Sequence, residues 1–297
     1  MRIASLIPSA TEIVYALGAQ DHLVAVTSEC DEPASARADH RVVVHGADTS
    51  AMPAREIEEL VRTTAAAGDS LSALDADALV ELQPDLVLTQ DLCRVCALPG
   101  GHVEEALERI GGTADVLTLD PHTLDDVLES ILAVGRAIGR HEQAVRLVAG
   151  LRARLDDVRA RVAGRARPRV VVLEWVDPPY SAGHWVPDLV TAAGGTPVAL
   201  PAGRRSEPLT WPAIYAAEPD VAVVAPCGFG LGRAVPQAAT VLPLLPGVGV
   251  YAMDADGLVV RPGPRLVAGV EALSRALHPE AWPDAPDPAA ILRVTRA

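Results

Sequence analysis

Short apolar runs alternate along the chain with longer segments whose apolar residues recur every three or four positions. Residues 2–7, 23–27, 41–45, 85–89 and 115–119 are dense in Val, Ile and Leu, as strands buried on both faces are. Between them, residues 10–17 and 102–110 carry apolar side chains at helical spacing. Strand and helix in alternation predict a parallel-sheet α/β lobe. From residue 123 to about 162 the pattern becomes one long, glycine-interrupted helical stretch, with a stripe running from Leu124 through Ile131, Ile138 and Val148 to Val162. Unbroken, that helix is about 60 Å long at a rise of 1.5 Å per residue. Alternation then resumes with strand-like residues 169–175, 196–200, 221–225, 248–253 and 258–261, and a helix is expected over 264–277.

The pattern divides the chain into an α/β lobe over 1–122, a bridging helix over 123–163 and a second α/β lobe over 164–297. The expected fold is α/β, with two parallel-sheet lobes joined by one long helix and a ligand cleft between them. In open parallel sheets ligands sit beyond the carboxyl ends of the strands. The proline-punctuated tail from His278 shows no catalytic pattern.

Composition narrows the function. A net charge of −14 argues against a nucleic-acid partner, which needs a concentrated basic surface. No apolar run is long enough for a transmembrane segment. All 25 basic residues are arginine, so amine-dependent Schiff-base chemistry and a P-loop lysine are both excluded. The common hydrolase, zinc-protease and dinucleotide motifs are missing as well, which leaves open whether any reaction is catalysed. Met1 leads straight into a strand-like run, so the expected location is cytoplasmic, with export or the cell surface as the alternative if a signal peptide was removed.

Four cysteines lie at or just past predicted strand ends: Cys30, the CxxC pair Cys93 and Cys96, and Cys227. Thiolates gathered this way hold zinc in a tetrahedral set or an iron–sulfur cluster. In the competing reading each is a small buried hydrophobe. A redox dithiol fits less well, because proline and two glycines follow the pair too soon for a helix.

A second concentration is the stretch from Leu173 to Trp185. The chain has nine aromatic residues, and Trp175, Tyr180 and Trp185 fall here beside Glu174 and His184. Aromatic faces and an imidazole suit a bulky organic ligand or a chelated metal; a lid packed on its own tryptophans is the alternative. Gln90 ends another predicted strand, and Arg261 and Arg265 bracket a rigid turn where they can hold an anion or cap a helix. Glu174 and His184 are also the nearest acid or base to a cysteine-bound metal.

The stretch Ser5-Leu-Ile-Pro-Ser-Ala-Thr-Glu-Ile-Val-Tyr-Ala-Leu-Gly18, with Pro84-Asp-Leu-Val-Leu88 and Leu189-Val-Thr-Ala-Ala-Gly-Gly195, resembles the helical-backbone substrate-binding proteins of ABC importers, most closely the cobalamin-binding branch. The resemblance covers essentially the whole chain. It implies two lobes, a bridging helix, little hinge motion, a cobalamin or other metal-chelate ligand, and an ABC permease as partner if the protein is exported. By position it implies that Pro8, Ser9 and Ala10 form a ligand-edge loop and that Trp175 and Trp185 face the ligand. The competing reading is a cytosolic metalloprotein or metalloenzyme on the same fold, with the cysteines as its metal ligands.

Overall fold

A computed structural model describes residues 1–49, 51–67, 69–90, 103, 107–108 and 114–296. They form two compact units, one of Met1–Asp120 with Glu129–Leu147 and the other of Pro121–Leu128 with Val148–Ala297.

The first unit is built on a six-stranded sheet. Its strands are β1 (Ile3–Ser5), β2 (Leu23–Thr27), β3 (Arg41–Gly46), β4 (Ser72–Leu74), β5 (Leu86–Gln90) and β6 (Asp115–Leu119), in the spatial order β4-β3-β2-β1-β5-β6. All neighbours pair parallel except β3 with β4. β1 lies inside the sheet, and every one of its residues is buried. Pro8 then opens the helix Pro8–Ala16, since its fixed φ suits a first helical turn and its missing N–H is not needed there. Ala4, Val43, Leu79, Val87 and Val103 belong to the core that this sheet shares with its helices.

In the second unit the strands are β7 (Arg169–Val176), β8 (Pro179–Ser181), β9 (Thr196–Pro197), β10 (Val221–Val224), β11 (Gly249–Met253) and β12 (Ile291–Val294). Their order is β12-β11-β10-β7-β8, with β9 also on β7. The middle of the sheet, β7-β10-β11, is parallel, whereas β8 and β12 run antiparallel at its edges. Both sheets are thus parallel inside; the first ends in one antiparallel edge strand, β4, and the second in two, β8 and β12. Val171, Leu173, Ala222, Val224 and Val250 form the core with the helix Leu231–Val241.

Two expectations change. The helical stretch from 123 is two helices, Leu124–Ala137 and His141–Val162. Gly139 turns the chain at φ +68°, a backbone conformation that L side chains rarely adopt. Beside it Gly135 packs against the Ala144 side chain and the Arg140 carbonyl, where an added Cβ would collide. The expected strand at 258–261 is absent, because the Asp254 carboxylate accepts the Gly257 N–H and starts the helical turn Ala255–Leu258. The tail, in turn, contributes β12, which pairs with β11.

Candidate functional site

Because β7, β10 and β11 are parallel neighbours, their carboxyl ends emerge side by side in the second unit. Backbone bonds tie the loops that leave them. Cys227 N–H donates to the Glu174 carbonyl at 3.2 Å, and the Phe229 carbonyl accepts Ala255 N–H at 3.2 Å and Asp256 N–H at 3.4 Å. These bonds set three side chains in a row. Trp175 meets Phe229 edge to face, with ring centroids 5.4 Å apart at 70°, and the Arg233 guanidinium lies 3.8 Å from the Phe229 ring centroid. Trp175 is half-buried, and its Nε1 is covered without a hydrogen-bond partner. Leaving a buried donor unmade costs about 1–3 kcal/mol.

Beside this row Arg261, only 8% exposed, donates to Asp256 at 2.9 Å. Arg265 is half-buried at the start of the helix Leu266–Leu277, where its Nη1 would sit 3.2 Å from any Cβ added to Gly257. The two arginines are therefore close to the same turn, and the Arg261 charge is met by an acid of that turn.

The aromatic loop is held from several sides. Tyr180 pairs with Trp175 across β8 and β7 and is half-buried. Gly183 lies too close to residues 204–206 to carry a side chain. His184, at φ +52°, donates its N–H to the Arg204 carbonyl, and its own carbonyl accepts Gly203 N–H. Its ring lies 5.7 Å from that of His122 and 5.7 Å from that of Trp185. Trp185 corrects the expectation that it faces a ligand: it is 5% exposed, and its Nε1–H donates to the Val259 carbonyl at 2.8 Å. Its indole is part of the core.

His122 precedes a helix start with two carboxylates of opposite behaviour. Asp126 accepts His122 and Thr123 N–H groups at 3.0 and 2.9 Å, while Asp126 N–H donates to Thr123 Oγ1. Burial pushes its carboxyl up, but the Thr123 hydroxyl and the two amides together bring it below its ordinary value. Asp188 accepts Leu124 N–H at 3.0 Å. Burial raises this carboxyl, and the neighbouring Asp125 and Asp126 raise it further against the opposing pull of that amide.

In the first unit, Pro8, Ser9 and Ala10 are the opening turn of a helix instead of a loop, and Ser9 and Ala10 are buried. Gln90 ends β5 half-buried. Cys30 is a core residue, fully buried, with its sulfur 3.1 Å from Thr11 Oγ1 and 3.3 Å from Thr27 Oγ1. That placement corrects its assignment as a metal ligand. Cys93 and Cys96 lie outside the described residues, and Cys227 is exposed in the second unit. Among the described residues, no three His, Cys, Asp or Glu side chains are grouped to hold a metal ion.

Sequence reading found Trp175, Tyr180 and Arg261 at this edge but missed Phe229, Arg233 and His122. Phe229 is the chain's one phenylalanine, set between two glycines after a strand, and that was its available signal. His122 belongs with the loop only through the fold.

A family model described as periplasmic binding protein matches residues 3–239. The ABC transporter substrate-binding lipoprotein YvrC of Bacillus subtilis is 27% identical over 290 residues, covering 95% of this chain and 81% of that protein. The vitamin B12-binding protein of Vibrio cholerae is 24% identical over 274 residues, 91% of this chain and 86% of that one. A periplasmic heme-binding protein from Pseudomonas aeruginosa has the same fold, with a TM-score of 0.73 at 22% identity, covering 100% of this chain and 99% of that one. The expectation of a cytoplasmic protein is corrected by these matches, whose members are periplasmic proteins or lipoproteins. Nothing in them supports the iron–sulfur reading.

Proposed function

This chain belongs to the periplasmic binding protein family, and from that premise we propose that it is the exported capture component of an importer, binding cobalamin or a related planar metal chelate for a membrane permease. The supporting observation is the aromatic edge of the second sheet, in a chain that aligns along most of its length with a vitamin B12-binding protein. Trp175 and Tyr180, both half-buried, offer apolar faces to a macrocycle, and Phe229 is buried behind Trp175 as its support. The metal is cargo held by its own chelate, so the protein's work is to bind, orient and release. An aromatic contact adds about 0.5–1.5 kcal/mol beyond the area it buries. A micromolar dissociation constant corresponds to about 8 kcal/mol, so no single ring accounts for capture.

The test is titration of purified protein with cyanocobalamin and with hemin, followed by tryptophan quenching and by the ligand's visible band. One ligand per chain at micromolar affinity or tighter is expected, and Trp175→Ala should weaken it about tenfold with the fold intact. Folded protein that binds neither ligand refutes the reading.

A further inference from the structure

The chain's four tyrosines differ in how their hydroxyls are used. Tyr15 shares a hydrogen bond with His40 Nε2 at 3.1 Å, and the Tyr251 hydroxyl donates to the Ala276 carbonyl at 3.4 Å. Tyr215, on the helix Trp211–Ala216, is 56% exposed. Tyr180 is half-buried, yet its hydroxyl bonds to none of the described residues and its oxygen is not covered. The backbone around it is held from both sides. On β7 its partner is Trp175, which stands opposite because Glu174 is the extra residue of a bulge. On the outer side Tyr180 bridges to Pro208, and the next residue, Ser181, donates its N–H to the Glu207 carbonyl at 2.9 Å. Opposed residues of an antiparallel pair share a face of the sheet, so the phenol and the half-buried indole belong to one surface.

That surface sets a condition on what it binds. A macrocycle laid on the Trp175 indole also drives water from the phenol beside it, and a hydroxyl stripped of water without a new partner costs about 1–3 kcal/mol. We propose that the Tyr180 hydroxyl is the polar contact of the aromatic edge, hydrogen-bonding an amide or carboxylate oxygen on the rim of the bound chelate. The inference rests on the reading that the ligand lies against Trp175. A phenol suits the task because its ring packs as an apolar face while its O–H donates or accepts. Held between Trp175 and Pro208, its backbone is set before the ligand arrives. Amides on a corrin rim and carboxylates on a heme rim both supply the oxygen.

Affinities of the wild type, Tyr180→Phe and Tyr180→Leu for cyanocobalamin and for hemin decide the matter, with thermal melts to confirm folding. For whichever ligand binds, Tyr180→Phe should weaken it about five- to thirtyfold, the larger loss belonging to a carboxylate partner. Tyr180→Leu, which removes the ring as well, should weaken it further. A second measurement needs no variant: N-acetylimidazole, which acetylates phenol oxygens, should modify Tyr180 and Tyr215 in the free protein. Bound ligand should protect Tyr180 and leave Tyr215 reactive. A Tyr180→Phe protein that binds as tightly as the wild type, or a Tyr180 that is acetylated equally with and without ligand, overturns the assignment while leaving the ligand reading in place. Folded wild type that takes up neither compound overturns both.

Discussion

Trp175 and Trp185 put the same side chain to different uses. The Trp185 indole is buried with its N–H satisfied, so Trp185→Ala should cost about 3–5 kcal/mol of stability in urea unfolding. Trp185→Phe keeps most of the packing and should cost about 1 kcal/mol, the bond to Val259. Neither should change ligand affinity per folded molecule. A large loss of affinity in folded Trp185→Phe would return that residue to the site. Type and spacing alone placed both tryptophans in one loop, but burial depends on what packs over them, and Val259 is far away in sequence. Cys30 was misread in the same way. A strand end seen in sequence does not reveal whether a thiol leaves the sheet or turns beneath it to meet Thr11 and Thr27.

At the scale of elements, the start of the helix Leu124–Ala137 gives opposite pH responses from two carboxylates. The Asp126 carboxyl is held below its ordinary value near 3.8, so the stability it contributes is present above that value and is lost as pH falls through its lower folded value. Asp126→Ala should therefore destabilise at pH 7 and converge on the wild type in strong acid. The Asp188 carboxyl is held above 3.8, so the folded state binds its proton more tightly, and the favourable contribution of that proton disappears as pH rises through the raised value. Asp188→Asn keeps an oxygen for Leu124 N–H without the buried charge, and should be more stable than the wild type at pH 7 and equal to it below about 3.8. Melting curves from pH 3 to 8 check both, and the same sign for the two variants at pH 7 would refute the pair. Helical period showed where this helix and its successor lie, but not the break, which depends on the close approach of Gly135 to Ala144. Gly135→Ala should cost about 1–3 kcal/mol through overpacking.

For the whole molecule, 14 excess negative charges oppose compaction more than the scattered arginine pairs favour it, each exposed pair being worth about 0–1 kcal/mol. Raising ionic strength from 0.01 to 0.15 M shortens the screening length from about 30 to 8 Å and should raise the melting temperature. A lower one would mean that the pairs dominate. The two-sheet α/β fold was legible because long parallel strands and amphipathic helices repeat over many residues. The short edges β4, β8 and β12 were not, since a strand of three or four residues at a sheet edge has too few positions to show a period, and β9 covers only the start of the strand expected over 196–200. One of those edges bears on how the molecule is made. β11 acquires its outer neighbour from Ile291–Val294, so that flank of the second sheet stays unpaired during synthesis until the residues beyond the helix Leu266–Leu277 have emerged. Until then β11 presents an open strand edge, the kind of surface that pairs with other chains.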